Sequence, residues 1–157
     1  MTPDEARRAT AYHISRVEYF LSLFALELGE RAREHDASKL ESPEAEMFNR
    51  VTEKLQGLTY GSSEYEAQRK EMLGMALHHH YEHNRHHPEH FDNGVSGMSL
   101  IDLVEMFCDH MAAVQRHGDG CPYKSLEHNE KRFGYGPVLT AIFKNTIDLF
   151  QKSLDAV

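Results

Sequence analysis

Apolar residues recur at helical spacing along nearly the whole chain. Thr2-Pro3-Asp4-Glu5 predicts a helix start: an N-cap, a first-turn proline and two acids suited to the positive end of the helix dipole. Ile14, Val17, Leu21, Phe24 and Leu28 extend it as an apolar stripe, and Gly29 offers a stop. A short helical stretch then carries "RAREHDASK". Ser42-Pro43-Glu44 restarts the chain as a helix through Met47, Val51 and Leu55, "GLTYGSS" reads as a turn, and Ser63 caps a helix from Glu64 to about Glu82. Pro88, Asn93-Gly94 and Gly97 mark "NRHHPEHFDNGVSG" as a loop. Ser99, with Asp102 three residues on, predicts a capped start for the apolar helix "LIDLVEMFCDHMAAV". "HGDGCP" ends that helix, Ser125 begins a short one finishing near "FGYGP", and Val138 to Leu154 forms the last. The pattern predicts an all-α fold, a single compact domain of six or seven helices over residues 1–157.

Composition agrees with a globular chain. At 157 residues, with 40% hydrophobic and 27% charged positions, it suits one domain with a real core. It has no long apolar run and no signal-peptide pattern, which predicts no membrane association. Only Cys108 and Cys121 are available for a disulfide, so a reducing, cytoplasmic setting is expected. A net charge of −8 argues against long nucleic acids, which need a basic track to release counterions. A small anion held by a metal and a few local cations is still permitted. The unusual figure is 12 histidines, with seven of them between His78 and His90.

Zinc-, manganese- or iron-type ions want imidazole nitrogens and carboxylate oxygens held close together on rigid elements. Three places offer them. His13 lies beside the Ile14 and Val17 stripe, and His35-Asp36 follows the Gly29 break. Asp109 sits at the edge of the Leu103, Met106 and Phe107 stripe, where a carboxylate costs several kcal/mol unless it is paired or bound to a cation. A salt bridge at a helix margin is the plainer account of Asp109, and Asp102 and Glu105 read as solvated or capping acids. On one straight helix His13 and His35 would be about 33 Å apart at ~1.5 Å per residue. A shared ion therefore requires the chain to fold back between them.

In "ALHHHYEHNRHHPEHF", His79 and His83 continue a face begun by Met72 and Ala76, so they are expected to extend a buried stripe. His80 lies beside that stripe and His78 points to solvent. Such spacing could hold a second metal, or set imidazoles around a phosphate as acid, base or hydrogen-bond donor. Pro88 stiffens the loop and Arg85 adds a phosphate contact. Lys39, three residues after Asp36, shares its helical face and could clamp a phosphate oxygen. Further on, Arg116, His117, Lys124, Asn129, Lys131 and Arg132 either close over a sugar or base or are simply solvated.

The ordered series His13, His35-Asp36, Asp109 resembles the HD-domain metal-dependent phosphohydrolase superfamily. More closely, "HDASKLESPE", "NRHHPEHF" and "LIDLVEMFCD" resemble an uncharacterised phage- and bacteria-borne family, which would put a phage-encoded copy in the host cytoplasm. The superfamily resemblance implies a helical fold that hydrolyses phosphate esters, commonly of nucleotides. It implies a divalent ion (Mn, Zn, Co, Fe or Mg) held by His13, His35, Asp36 and Asp109. "HDASK" is similar to the HD-x-G-K form of cyclic-dinucleotide phosphodiesterases, with Ser38 in place of glycine. Those enzymes use a further histidine between the HD pair and the next histidine segment. Here none occurs between His35 and His78, so one ion is expected rather than two.

The resulting expectation is a metal-dependent phosphohydrolase acting on a small phosphorylated substrate of the nucleotide class. Lys39, His79, His80 and His83 are the expected catalytic groups. Asn84, Arg85, His86, His87 and Arg116 are expected to bind substrate. The alternatives are an HD-fold di-iron oxygenase and a non-catalytic nucleotide sensor. An exposed apolar helix face would support a homo-oligomer.

Overall fold

The computed structural model describes residues 1–56, 63–115 and 120–154. Six α-helices carry the fold: α1 (Pro3–Glu34), α2 (Glu44–Gln56), α3 (Ser63–His83), α4 (Leu100–Val114), α5 (Pro122–Phe133) and α6 (Pro137–Leu154). Short 3₁₀ turns cover Ala37–Leu40, Pro88–His90 and Gly94–Gly97, and there is no strand among the described residues. The all-α expectation holds. None of the described helices is long and apolar enough to cross a membrane.

Contacts divide the chain into two units, Met1–His35 and Asp36–Val157. The first unit is α1. Thr2 caps it as its sequence predicts: the Glu5 N–H donates to Thr2 Oγ1 at 3.3 Å, and the Thr2 N–H donates to the Glu5 carboxylate at 2.7 Å. The expected stop at Gly29 is absent, and α1 runs 32 residues unbroken to Glu34. A glycine inside a helix costs only about 1 kcal/mol against alanine, which a helix this long absorbs. His35 closes it, its N–H donating to the Arg31 carbonyl at 2.8 Å.

This corrects the expected ligand set. His13 and His35 now belong to one continuous helix, about 33 Å apart at ~1.5 Å per residue. They cannot share an ion, because the chain reversal that would bring them together does not exist.

In the second unit α2 packs on α3, the Ala37–Leu40 turn packs on both, and α5 bridges α4 and α6. Met106 and Phe107 of α4, Leu126 of α5, Tyr135, and Phe143 and Ile147 of α6 form the buried core. Leu103, Met106 and Phe107 share one helical face, which is why α4 turns that side inward. The Phe107 and Phe143 rings stack at 5.3 Å, and Tyr135 meets Phe143 edge-on at 5.6 Å. Gly134, at φ 65°, takes the left-handed position that ends α5.

The start of α4 ties the histidine-rich loop down. Ser99 and Asp102 form the expected capping box, with the Asp102 N–H donating to Ser99 Oγ at 3.2 Å and the Ser99 N–H to Asp102 Oδ2 at 2.8 Å. Asp102 is not solvated, however. It is fully buried, and the Arg85 guanidinium grips it through Nε at 3.2 Å and Nη2 at 3.1 Å. Arg85 also lies over the Phe91 ring, 4.9 Å from its centroid. Burial alone would raise the Asp102 carboxyl, but hydrogen bonds from Arg85 and Ser99 hold it below the ordinary aspartate value.

A depressed folded-state value means this stabilisation is present above the ordinary carboxylate value of 3.8 and is lost as pH falls below it. Asp102→Asn is therefore expected to lower stability by about 1–3 kcal/mol at pH 7. The gap to wild type should close as the solution is acidified. Urea unfolding at several pH values measures both, and equal midpoints at pH 7 would contradict this role.

Candidate metal centre

Asp36 follows α1 in the left-handed conformation, φ 57° and ψ 13°. Aspartate tolerates this region better than most residues, at a cost of about 1 kcal/mol. Its carbonyl accepts the Lys39 N–H at 2.9 Å, closing the 3₁₀ turn that carries Lys39 back over the Asp36 side chain. Lys39 Nζ donates to Asp36 Oδ2 at 2.6 Å. The other oxygen, Oδ1, faces His80 Nε2 at 3.2 Å and His86 Nε2 at 3.5 Å.

Each of those imidazoles is held from behind by a buried or nearly buried carboxylate. His80 sits one turn after Ala76 on the buried face of α3, and its Nδ1 lies 3.0 Å from Oε2 of Glu44, the first residue of α2. His86 Nδ1 lies 3.1 Å from Glu105 Oε1 on α4. A carboxylate accepts hydrogen bonds, so the tautomer that meets it carries its proton on Nδ1 and leaves Nε2 with a lone pair. Glu44 is fully buried. Burial pushes its carboxyl up, but hydrogen bonds from His79, Ser38 and His80 outweigh that and hold it below the ordinary glutamate value.

His87 completes the group. Its Nε2 lies 2.9 Å from His80 Nε2, and its ring is 4.1 Å from that of His86. Burial, followed by the neighbouring His86 and His80, pushes His87 down to about 3, so its ring is neutral at pH 7. Asp109 pulls the other way through its negative charge, as it also does on His110. One ligand atom from each of Asp36, His80, His86 and His87 falls within 4.8 Å of all the others. The four form a cluster able to hold a metal ion.

The donor chemistry fits such an ion. In that tautomer two Nε2 lone pairs lie beside one carboxylate oxygen, an arrangement that suits a cation. Three nitrogens and one oxygen are the set preferred by zinc, manganese, iron or cobalt rather than calcium. Carboxylates behind ligating histidines are the usual way of fixing tautomer and ring orientation.

Of the four expected ligands, Asp36 alone belongs to this cluster. Asp109 lies near His87 but is not one of the four. His80, His86 and His87, expected in catalysis and substrate binding, belong to the cluster that could hold an ion. Lys39 stands at the cluster on the Asp36 carboxylate. His79, half-buried, places Nδ1 2.9 Å from Glu44 Oε1. The exposed His83 donates from Nδ1 to the His79 carbonyl at 2.8 Å. The buried face of α3 thus continues from Ala76 to His80, not to His79 and His83 as the stripe suggested. His78 is exposed, as expected. Asn84 is buried, donating to Ser38 Oγ at 2.8 Å and to the His80 carbonyl at 2.9 Å. Arg85 is engaged with Asp102, and Arg116 lies outside the described residues.

Glu44, Glu105 and Ser38 escaped the reading of the sequence. Glu44 looked like an ordinary first-turn acid, and Ser38 like a substitute for glycine. For Glu105 there was a signal: it lies one turn before Asp109 on a largely apolar helix, so two carboxylates share a face.

No curated protein and no solved structure matches this chain. The model of a family of unknown function, DUF5662, matches residues 2–154, and the chain belongs to that family.

Proposed function

We propose that this chain is a divalent-metal-dependent phosphohydrolase whose substrate is a small phosphorylated metabolite of the nucleotide class. The observation that carries the reading is the Asp36, His80, His86 and His87 cluster, with both of its most buried imidazoles braced by carboxylates. When bound there, the ion supplies a Lewis acid that polarises a phosphoryl oxygen. The protein's own groups do the rest. Glu44 and Glu105 hold the rings of His80 and His86 in register. The Lys39 ammonium, paired with Asp36 but more than a third exposed, stands where an anionic group arriving from solvent would meet it. There it can hold a phosphate oxygen and offset charge developing in the displacement. A net charge of −8 favours a small substrate over a nucleic-acid polymer.

This keeps the phosphate-ester chemistry implied by the HD resemblance and draws three of its ligands, His80, His86 and His87, from the 80–87 region. A second reading has its own support. Four protein donors fill a tetrahedral ion, and His80 and His86 are almost completely buried, which is the character of a closed structural zinc site. A six-coordinate manganese, iron or cobalt ion in the same cluster keeps positions open for water and phosphate. The metal and its consequence decide between them.

Asp36→Ala should remove the ion held by this cluster and abolish phosphate release from a nucleotide panel supplied with Mn²⁺, Co²⁺, Zn²⁺ or Mg²⁺, while the helical circular-dichroism signal persists. Turnover that survives the substitution sinks the proposal. Glu105→Gln keeps every proposed ligand but loosens the hold on His86, so affinity for that ion should fall roughly 10- to 100-fold in a chelator competition. Lys39→Ala should leave the ion bound and lower kcat/KM roughly 10- to 100-fold, the worth of one charge-assisted hydrogen bond. A wild-type protein that gains thermal stability from zinc but releases phosphate with no metal belongs to the structural reading.

A further inference from the structure

We propose that Glu44, His79 and His83 form a second, solvent-facing site for a divalent transition-metal ion at the end of α3. One ligand atom from each of the three falls within 4.8 Å of the others. No histidine is shared with the inner cluster, so the inference stands apart from the phosphohydrolase reading.

Helix geometry brings the two imidazoles together. His79 and His83 are one turn apart on α3, and their rings lie nearly parallel, 4.1 Å between centroids and 16° between planes. Stacking alone does not account for the arrangement, because each ring is also fixed in orientation by a separate acceptor. His83 donates from Nδ1 to the His79 carbonyl at 2.8 Å, which leaves a lone pair on its Nε2. His79 Nδ1 stands 2.9 Å from Glu44 Oε1. An ion bound by those two atoms lies to one side of the line joining them and displaces the hydrogen between them, and that proton moves to Nε2 of the same ring.

The third ligand is what raises this pair above an ordinary histidine surface. Glu44 is fully buried, and its two oxygens face opposite tasks, Oε2 toward His80 and Oε1 toward His79. A buried anion aimed at the edge of an imidazole pair is a strong local attraction for a cation. Two imidazoles and one carboxylate suit zinc, cobalt, nickel or copper, and are a poor match for calcium or magnesium. His83 is exposed and His79 only half-buried, so three protein donors leave the remaining positions to water.

Glu44 serves both clusters, so the test is made at His83, whose exposed side chain can be removed without touching the core. The full chain, freed of metal, is equilibrated with Co²⁺ alone, and bound cobalt is counted by elemental analysis while its visible absorption reports the ligand field. Wild type should bind two ions per chain, His83→Ala and His83→Gln one, and Asp36→Ala one. A wild type that binds a single ion, lost in the His83 variants and kept in Asp36→Ala, retains the outer site and removes the inner. Unchanged cobalt content in both His83 variants, with circular dichroism matching wild type, overturns the proposal.

Discussion

A carboxylate with no exposure to water, Glu44, is the constraint on which the rest of the second unit turns. Taking such a charge out of solvent costs several kcal/mol, and nothing apolar can return that. What offsets it is a ring of donors drawn from separate elements: His79 and His80 from α3 and Ser38 from the 3₁₀ turn after Asp36. Asn84 in turn donates to Ser38, so the acid sits at the centre of a network in which each polar group has a partner. The packing of α2 on α3 therefore has an electrostatic component. Moving either helix by the length of a hydrogen bond would strand the charge.

The same economy explains why the 84–87 segment, irregular in backbone, can present side chains accurately. Arg85 is locked into the capping box of α4 through Asp102, and the next residue, His86, is held by Glu105 one turn further along that helix. Two successive residues thus have their side chains anchored on one rigid helix. His87 follows with its ring against those of both His80 and His86. A loop built this way behaves as an extension of α4. That is what a metal centre needs if its donors come from outside regular helix or from a helix end.

How much of this could be read from residue order depended on the range of the interaction. Local devices were legible: the Thr2–Glu5 and Ser99–Asp102 boxes, the α4 stripe of Leu103, Met106 and Phe107, and the Asp36–Lys39 pair all lie within one helical turn. Gly29 was misleading because a glycine ends a helix only where the chain has somewhere else to go, and in α1 the flanking residues continue the helix on their own propensity. The histidine face of α3 was one position off. After Ala76, both His79 and His80 fit a 3.6-residue period, and both reach Glu44, yet only His80 is fully buried. Glu44 is 36 residues away in sequence from His80, and no local pattern marks it. Glu105 was closer to being visible, through its spacing from Asp109.

The shared carboxylate would let two cations coexist near each other. Like charges repel, yet a carboxylate between them places negative charge on both sides, and each oxygen of Glu44 answers to a different imidazole. The inner cluster feels Glu44 through the intervening His80 ring, whereas the outer donors would share the ion with Glu44 directly. An outer cation would draw electron density from Oε1, weaken the hold of Oε2 on the His80 Nδ1–H and make Nε2 a poorer donor. Thermodynamic linkage makes that influence mutual. With both ions bound, Glu44 between two imidazoles would set the sign of the communication, each ion disfavouring the other, before any movement of a helix is considered.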